Sequence, residues 1–570
     1  MYNNFTLIFF NCKIILMRIK VLLGLFLSIL LFNIAMANDE KTVVRVGISN
    51  QNFSNWEHKS ADFISENIIK IIDMSQNSPI EEVKANTPVN ITFAEGVYSI
   101  SLNNAVKYRN LQGPLILSSN APIGIVNLNR KGTPAKYKGM IEIRNLKTNQ
   151  GFNIINVLDM ENYLKGVVPN EMPVGFGIEA LKAQAVAARN YANNASISPN
   201  YDVVDSTASQ VYYGVNSYRD ISNEAVLKTK GIYALYKNKP ITALYFSTSP
   251  GITDDWDDVF SDNFNWGSHP YLKPKYDMEG QKALKSERDV EEFYTRKDNG
   301  FDTNSPKFRW NIEFTREELE QVLTQTLLNQ SSTGLVYPKY DGNTPITGLR
   351  EIKATHRTNS GKITELVIIC DNGEFKIKKE LTIRRILKKN GAMLPSANFF
   401  VQTDGSLLEK KIFGIFDVDN KYPKTFILTG GGFGHGVGMS QFGASAMAKT
   451  GKKYPEILNH YYTDIELSTI PKTVYYNDYN VFYNTEFYYE PNIYGSVYLF
   501  INNQKYANEF NFKINNFEFN DTSSFAHNRL IKINISQYLH EGLNTISFAP
   551  LSAKNKGKTI TYQVEFVNGR

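Results

Sequence analysis

Leu158-Asp-Met-Glu-Asn-Tyr-Leu-Lys-Gly-Val-Val-Pro-Asn-Glu-Met-Pro173, followed shortly by Ile178-Glu-Ala-Leu-Lys-Ala-Gln-Ala-Val-Ala-Ala-Arg-Asn-Tyr-Ala192, is where the chain turns from strand to helix patterning. The second run consists of strong helix formers without Gly or Pro. Ile178, Leu181, Ala185, Ala188 and Ala192 fall on one side at helical spacing. The run is therefore a helix, and its alanines let other backbone approach closely, so it is expected to pack centrally against a sheet. Upstream, stretches such as Val43-Val-Arg-Val-Gly-Ile48 and Val89-Asn-Ile-Thr-Phe93 alternate as half-buried strands do. Met140 to Ile143 and Phe152 to Val157 lead directly into the motif. This order predicts an α+β protein, with a β-rich scaffold over 38–150 and a mixed region over 151–470 built around one Ala-rich central helix.

Downstream, strands resume from Tyr233 to Phe246, and the polar stretch Asp277 to Asn304 reads as an exposed charged helix or loop. Thr315 to Leu328 reads as a helix, with Thr315 as its N-cap and Glu317 and Glu318 in the first turn. Another is expected at Lys379 to Lys388, and a third from Ser440 to Lys449 after glycines crowding both sides of His435. Past Pro471 the composition shifts to Tyr, Phe and Asn in short alternating runs, which predicts a separate all-β sandwich over 473–570. A length of 570 residues exceeds what one core accommodates, in keeping with several folding units.

The first 37 residues bear on the compartment. Lys13, Arg18 and Lys20 precede an apolar run from Val21 to Ile34, and Ala35-Met-Ala37 follows, the pattern of a cleaved secretory signal, with Met17 as a second candidate start. The apolar run is shorter than the ~20 residues a spanning helix needs, so an uncleaved anchor is the lesser alternative. Secretion places the protein in the cell wall or periplasm. Across the chain 62 Lys and Arg oppose 56 Asp and Glu; without the three basic leader residues the formal charge falls from +6 to +3. That mild excess suits an anionic wall polymer and excludes the concentrated basic face of a nucleic-acid binder. Cys12 belongs to the leader, so Cys370, among Val367-Ile-Ile369, is left without a disulfide partner and reads as a buried core thiol.

Glu171 lies between Pro169 and Pro173, which restrict the backbone on both sides and suggest a rigid loop before the helix. Two roles stay open on the residues alone: a positioned reactive carboxyl, or a charge that complements the helix N-terminus. His435, between Gly434 and Gly436, could ligate a metal, transfer a proton or fix its loop by hydrogen bonding to backbone; the last is favoured. Its glycines let backbone amides approach a ligand closely, which makes Ser440 and Gln441 candidates for substrate contact.

The Leu158–Pro173 and Glu179–Tyr191 segments closely resemble the stage II sporulation protein D family. Two later segments agree: Tyr245-Phe-Ser-Thr-Ser249 with Asp254 and Asp255, and Gly434-His-Gly-Val-Gly-Met-Ser-Gln-Phe-Gly-Ala444 ahead of Ile457-Leu-Asn-His-Tyr-Tyr462. The similar region spans about residues 40 to 470. The resemblance implies a lytic transglycosylase that cuts the N-acetylmuramic acid to N-acetylglucosamine bond of peptide-free peptidoglycan strands and leaves an anhydro end. It also implies Glu171 as general acid/base, and Arg189, Tyr271 and Lys273 as groove residues that bind substrate. Such chemistry needs a neutral Glu171 near neutral pH, which burial or a neighbouring carboxylate, Glu161 or Glu179, would provide. Some members hold zinc near the equivalent of Asp205-Ser-Thr-Ala-Ser-Gln-Val-Tyr212. No His or Cys lies there in this chain, so neither metal nor cofactor is expected. No His-Glu-x-x-His occurs, which argues against a zinc amidase. Because some relatives enhance a cell-wall amidase, a wall-glycan-binding enhancer of an N-acetylmuramoyl-L-alanine amidase is the alternative. The partners expected are peptidoglycan strands and such an amidase. A surface adhesin using exposed Tyr of the sandwich is a third reading, though packing accounts for most aromatic alternation there.

Overall fold

The structure, a computed structural model, describes residues 40–569 apart from 77, 147–149, 261–268, 278–281, 298–299, 405–421, 477–480, 504–506, 508–509 and 520–528. The expected signal peptide lies outside the described residues. None of the described helices is long and apolar enough to cross a membrane.

The chain divides into two units, one formed by 43–230 with 241–466, the other by 231–240 with 467–570 and the segment before Val43. In the first, the N-terminal scaffold is two sheets. A seven-stranded sheet orders Val203–Val204, Val43–Ile48, Phe152–Asp159, Met140–Asn145, Leu115–Ser118, Ile69–Asp73 and Ser78–Val83. A six-stranded sheet runs from Thr133–Tyr137 to Ala105–Leu111. Strand Phe152–Asp159 is buried along nearly its whole length and pairs on both sides, which accounts for its continuous apolar reading.

Asp159 ends that strand and caps the next helix, Met160–Glu171, by accepting from the Asn162 amide at 3.0 Å. The Ala-rich helix follows as Ile178–Asn194. It is central, as its sequence predicts, but its neighbours are the helices Met160–Glu171, Asp220–Lys228, Gln441–Lys449 and Tyr454–Tyr461 rather than a sheet. Twelve of its residues are buried, including Lys182, Gln184, Arg189 and Asn190. Small side chains on every face allow that encirclement. A helix with one apolar stripe would have lain on a sheet.

The remaining helices of this unit fall close to expectation. Arg316–Ser331 is capped by Thr315, Glu380–Ile386 is shorter than predicted, and Gln441–Lys449 is capped by Ser440. Within Asp277 to Asn304 the helix is Glu287–Thr295, capped by Ser286 and Asp289. Cys370 is buried, 3 % exposed, at the end of strand Ile363–Cys370.

The second unit is a β-sandwich whose sheets meet through Phe548 on Tyr562, with ring centroids 4.1 Å apart, and Phe487 on Phe566, 5.4 Å apart. The boundary at 473 misses two of its parts. Glu466–Ser468 pairs with Ile560–Asn568, and the hairpin of Tyr233–Tyr236 and Lys239–Pro240 extends the same sheet. Tyr233 and Leu235 pack with Ile470 across more than two hundred residues of sequence. Four alternating residues mark a strand but say nothing of its partner.

Candidate active site

Glu171 is the last residue of the Met160–Glu171 helix, and Pro169 lies inside that helix. The expected rigid loop is thus a helix end. Proline there removes the amide hydrogen that would bond the Lys165 carbonyl one turn back, and Asn170 Nδ2 donates to the adjacent Gly166 carbonyl at 2.6 Å. Met172 and Pro173 then stop the helix. The carboxyl therefore sits at a negative helix C-terminus, the opposite of the N-terminal complement that the sequence also allowed.

Opposite it runs the loop from Asp205 to Val211, pinned from below. Asp205 forms a buried ion pair with Arg130 at 2.8 Å and accepts from the Ser49 amide at 3.1 Å. Ser209 Oγ accepts from the Val204 amide at 3.2 Å. So held, the Val211 amide donates to Glu171 Oε1 at 2.6 Å. Oε2 has no protein hydrogen bond among the described residues, and Glu171 lines a cavity of about 630 Å³. Burial raises its pKa to about 7, against the smaller opposing pull of the Val211 hydrogen bond. Neither Glu161 nor Glu179 contributes: Glu161 pairs with Arg189 at 2.7 Å and Glu179 with Lys182 at 3.0 Å. Desolvation is what raises this carboxyl's pKa.

Tyr191, Tyr245, Leu244, Trp256 and Phe260 form the apolar wall of the cavity, and Thr207, Ser209, Thr242 and His435 supply polar groups. Trp256 is itself buried, stacked on His269 at 4.0 Å and against Phe260 at 4.8 Å, so Phe260 rests on a rigid backing. His435 Nδ1 accepts from the Val437 amide at 3.1 Å, which leaves the proton on Nε2 to donate to the Tyr245 carbonyl at 3.0 Å. Burial first, then the Lys362 charge, push its imidazole down to about 3. With both nitrogens taken by backbone, this ring fixes the loop geometry. Gly434 and Gly436 beside it adopt φ 115° and 85°, and a Cβ on Gly436 would stand 2.4 Å from Asp254 Oδ2. Among the described residues no group of three or more His, Cys, Asp and Glu could hold a metal ion.

Of the residues singled out in the sequence, the structure brings Glu171 and His435 to one cavity. The other five lie apart from its described lining. Arg189 is fully buried, bracing its helix to Glu161, to the Val226 carbonyl and to Thr229. Ser440 is consumed as an N-cap, accepting from the Gly443 amide at 3.2 Å and bonding Asp302, while Gln441 is buried and donates to Gln184 at 3.3 Å. Tyr271 reaches only the cavity's margin, where its hydroxyl accepts from the Thr242 amide at 3.0 Å. Lys273 pairs with Asp255 at 2.9 Å. Tyr191, Ser209, Tyr245, Trp256 and Phe260 were missed. Tyr245 heads the Tyr-Phe-Ser-Thr-Ser motif and Tyr191 ends the helix motif, so their positions were visible in the sequence even though their roles were not.

The site is thus a half-buried carboxyl, held by one amide, at the edge of an aromatic-walled cavity. Similarity to known proteins places it more closely. A family model described as "Stage II sporulation protein" matches residues 148–236, and one described as "Domain of unknown function (DUF8618)" matches 258–438. The chain is 32% identical to Stage II sporulation protein D of Bacillus amyloliquefaciens over 330 residues, covering 55% of this chain and 74% of that protein. It is 32% identical to the Bacillus subtilis (strain 168) protein of the same name, covering 75% of it. It is 30% identical to an Amidase enhancer of Bacillus subtilis (strain 168) over 325 residues, spanning 40% of that longer protein. The chain belongs to the stage II sporulation protein D family.

Proposed function

We propose that this protein is a secreted lytic transglycosylase acting on peptide-free glycan strands of peptidoglycan, with Glu171 as its one acid/base group. The observation that carries this reading is a carboxyl pushed up to about 7 by burial, partly open to the cavity, with one oxygen unengaged by the described residues. Neutral Glu171 donates its proton to the leaving glycosidic oxygen. The resulting carboxylate then takes the proton of the muramic 6-hydroxyl as that oxygen attacks the anomeric carbon and closes the anhydro ring. No water enters, so no second carboxylate is needed, and Glu171 is the only carboxylate in the described lining.

A second reading, a glycan-binding partner of a cell-wall amidase, draws on the relative named Amidase enhancer. One experiment separates the two. The purified protein is incubated with peptide-free glycan strands and the products are read by mass spectrometry. New anhydromuramic ends from the parent, absent with a folded Glu171→Gln variant, support cleavage. Binding without such ends supports the second reading.

A further inference from the structure

Gln210 stands between two tyrosines. The Tyr163 hydroxyl donates to its Oε1 at 2.9 Å, and its Nε2 donates to the Tyr245 hydroxyl at 2.9 Å. The Ala188 carbonyl lies 3.4 Å from the same Nε2. That carbonyl fixes which way the amide faces, because turning it over would set Oε1 against another acceptor. The direction of the chain follows: Tyr163 to Gln210, Gln210 to Tyr245.

A phenol has one hydrogen to give. Since the Tyr245 oxygen already accepts from Gln210, its hydrogen is turned away from that amide, and it meets no acceptor among the described residues. Tyr245 is half-buried and lines the same cavity as Glu171. Its main chain is held as well, its carbonyl accepting from His435 at 3.0 Å. Burial, reinforced by the charge of Glu171, holds the phenol far above its ordinary pKa, so the hydrogen is retained at any working pH.

We propose that Tyr245 is a substrate-contacting hydrogen-bond donor, aimed through Tyr163 and Gln210 at an oxygen of the N-acetylated amino sugar that binds beside Glu171. Tyr163 and Gln210 are positioning residues, acting only through Tyr245. The inference rests on the glycan reading of the cavity and adds to it a directed donor on the wall.

The test uses the chain without its leader and four proteins: the parent, Tyr245→Phe, Gln210→Glu and the double variant. Each is assayed for affinity toward peptide-free glycan fragments, for kcat and KM of anhydro-end release, and for thermal unfolding. Losing one such donor is expected to lower kcat/KM about tenfold, and up to about a hundredfold if the oxygen gains charge in the transition state. Gln210→Glu replaces the donor with an acceptor and draws the Tyr245 hydrogen inward. It should therefore lose as much as Tyr245→Phe, and the double variant no more than either. Tyr245→Phe within about twofold of the parent overturns the proposal, as do losses that multiply in the double variant, the mark of two independent packing defects. If the parent binds glycan without cutting it, the transglycosylase reading fails while the donor is judged by affinity. About tenfold weaker binding by Tyr245→Phe then supports the donor, and equal binding overturns it. A parent that neither binds nor cuts overturns both.

Discussion

Replacing Glu171 by Gln should stabilise the protein, and by an amount that depends on pH. The carboxyl titrates near 7 in place of its ordinary 4.5 because folding buries it, which disfavours its ionised form by about 3 kcal/mol. The sign follows from where the proton sits. Below pH 4.5 folded and unfolded chains both hold it and Glu171 costs nothing; as pH climbs, the unfolded chain releases it first and the folded state loses stability, until the loss levels off above about 7. Gln is uncharged throughout, and its side-chain oxygen still accepts from the Val211 amide. Urea unfolding of both proteins at a series of pH values should show superimposed midpoints near pH 4.5. The gap should open in favour of the variant to about 3 kcal/mol above pH 7, with unchanged urea sensitivity. The same variant should lose about 10²- to 10⁴-fold of glycan cleavage. A gap that is constant with pH, or that favours the parent at high pH, would refute the claim that burial raises this group.

Other consequences follow from the same geometry. The cleavage rate should be full below about pH 7 and fall about tenfold per pH unit above it, as Glu171 ionises. His435, neutral down to about 3, should add no limb near pH 6.5, so a limb there that vanishes in His435→Asn would contradict its assignment. Asp205→Ala strands Arg130 without a counter-charge in the interior and should cost about 3–5 kcal/mol in thermal or urea unfolding, recovered in part by Arg130→Met. Where that variant stays folded, loosening of the Val211 amide should move the pH limb of cleavage upward, because that hydrogen bond pulls Glu171 down. Leu235→Ala, though placed within the sequence of the helical region, should destabilise the sandwich by about 2–4 kcal/mol, seen as earlier proteolytic loss of the segment after Ile470.

Much of the local structure was legible. The Ile178–Asn194 helix, the Thr315 cap and the buried strands before Asp159 followed from propensity, spacing and capping chemistry, which depend on neighbours a few residues away. Glu171 was singled out by its motif, and His435 by the glycines around it. Arg189 shows the limit. The family resemblance implied a groove residue, yet Glu161, Val226 and Thr229 surround this cation, and their arrival is a property of how three helices pack.

Sequence by itself determined the family, the order of strands and helices, and the carboxyl on which the proposed chemistry centres. Tertiary structure alone decided that Glu171 closes a helix, that no partner carboxylate raises it, that Tyr245 and Tyr191 wall its cavity, and that residues 231–240 belong to the distant sandwich. The division has one physical cause. Backbone preference acts over a single turn or strand, whereas burial, and with it the proton on Glu171, is set by segments far apart in the chain that exclude water together.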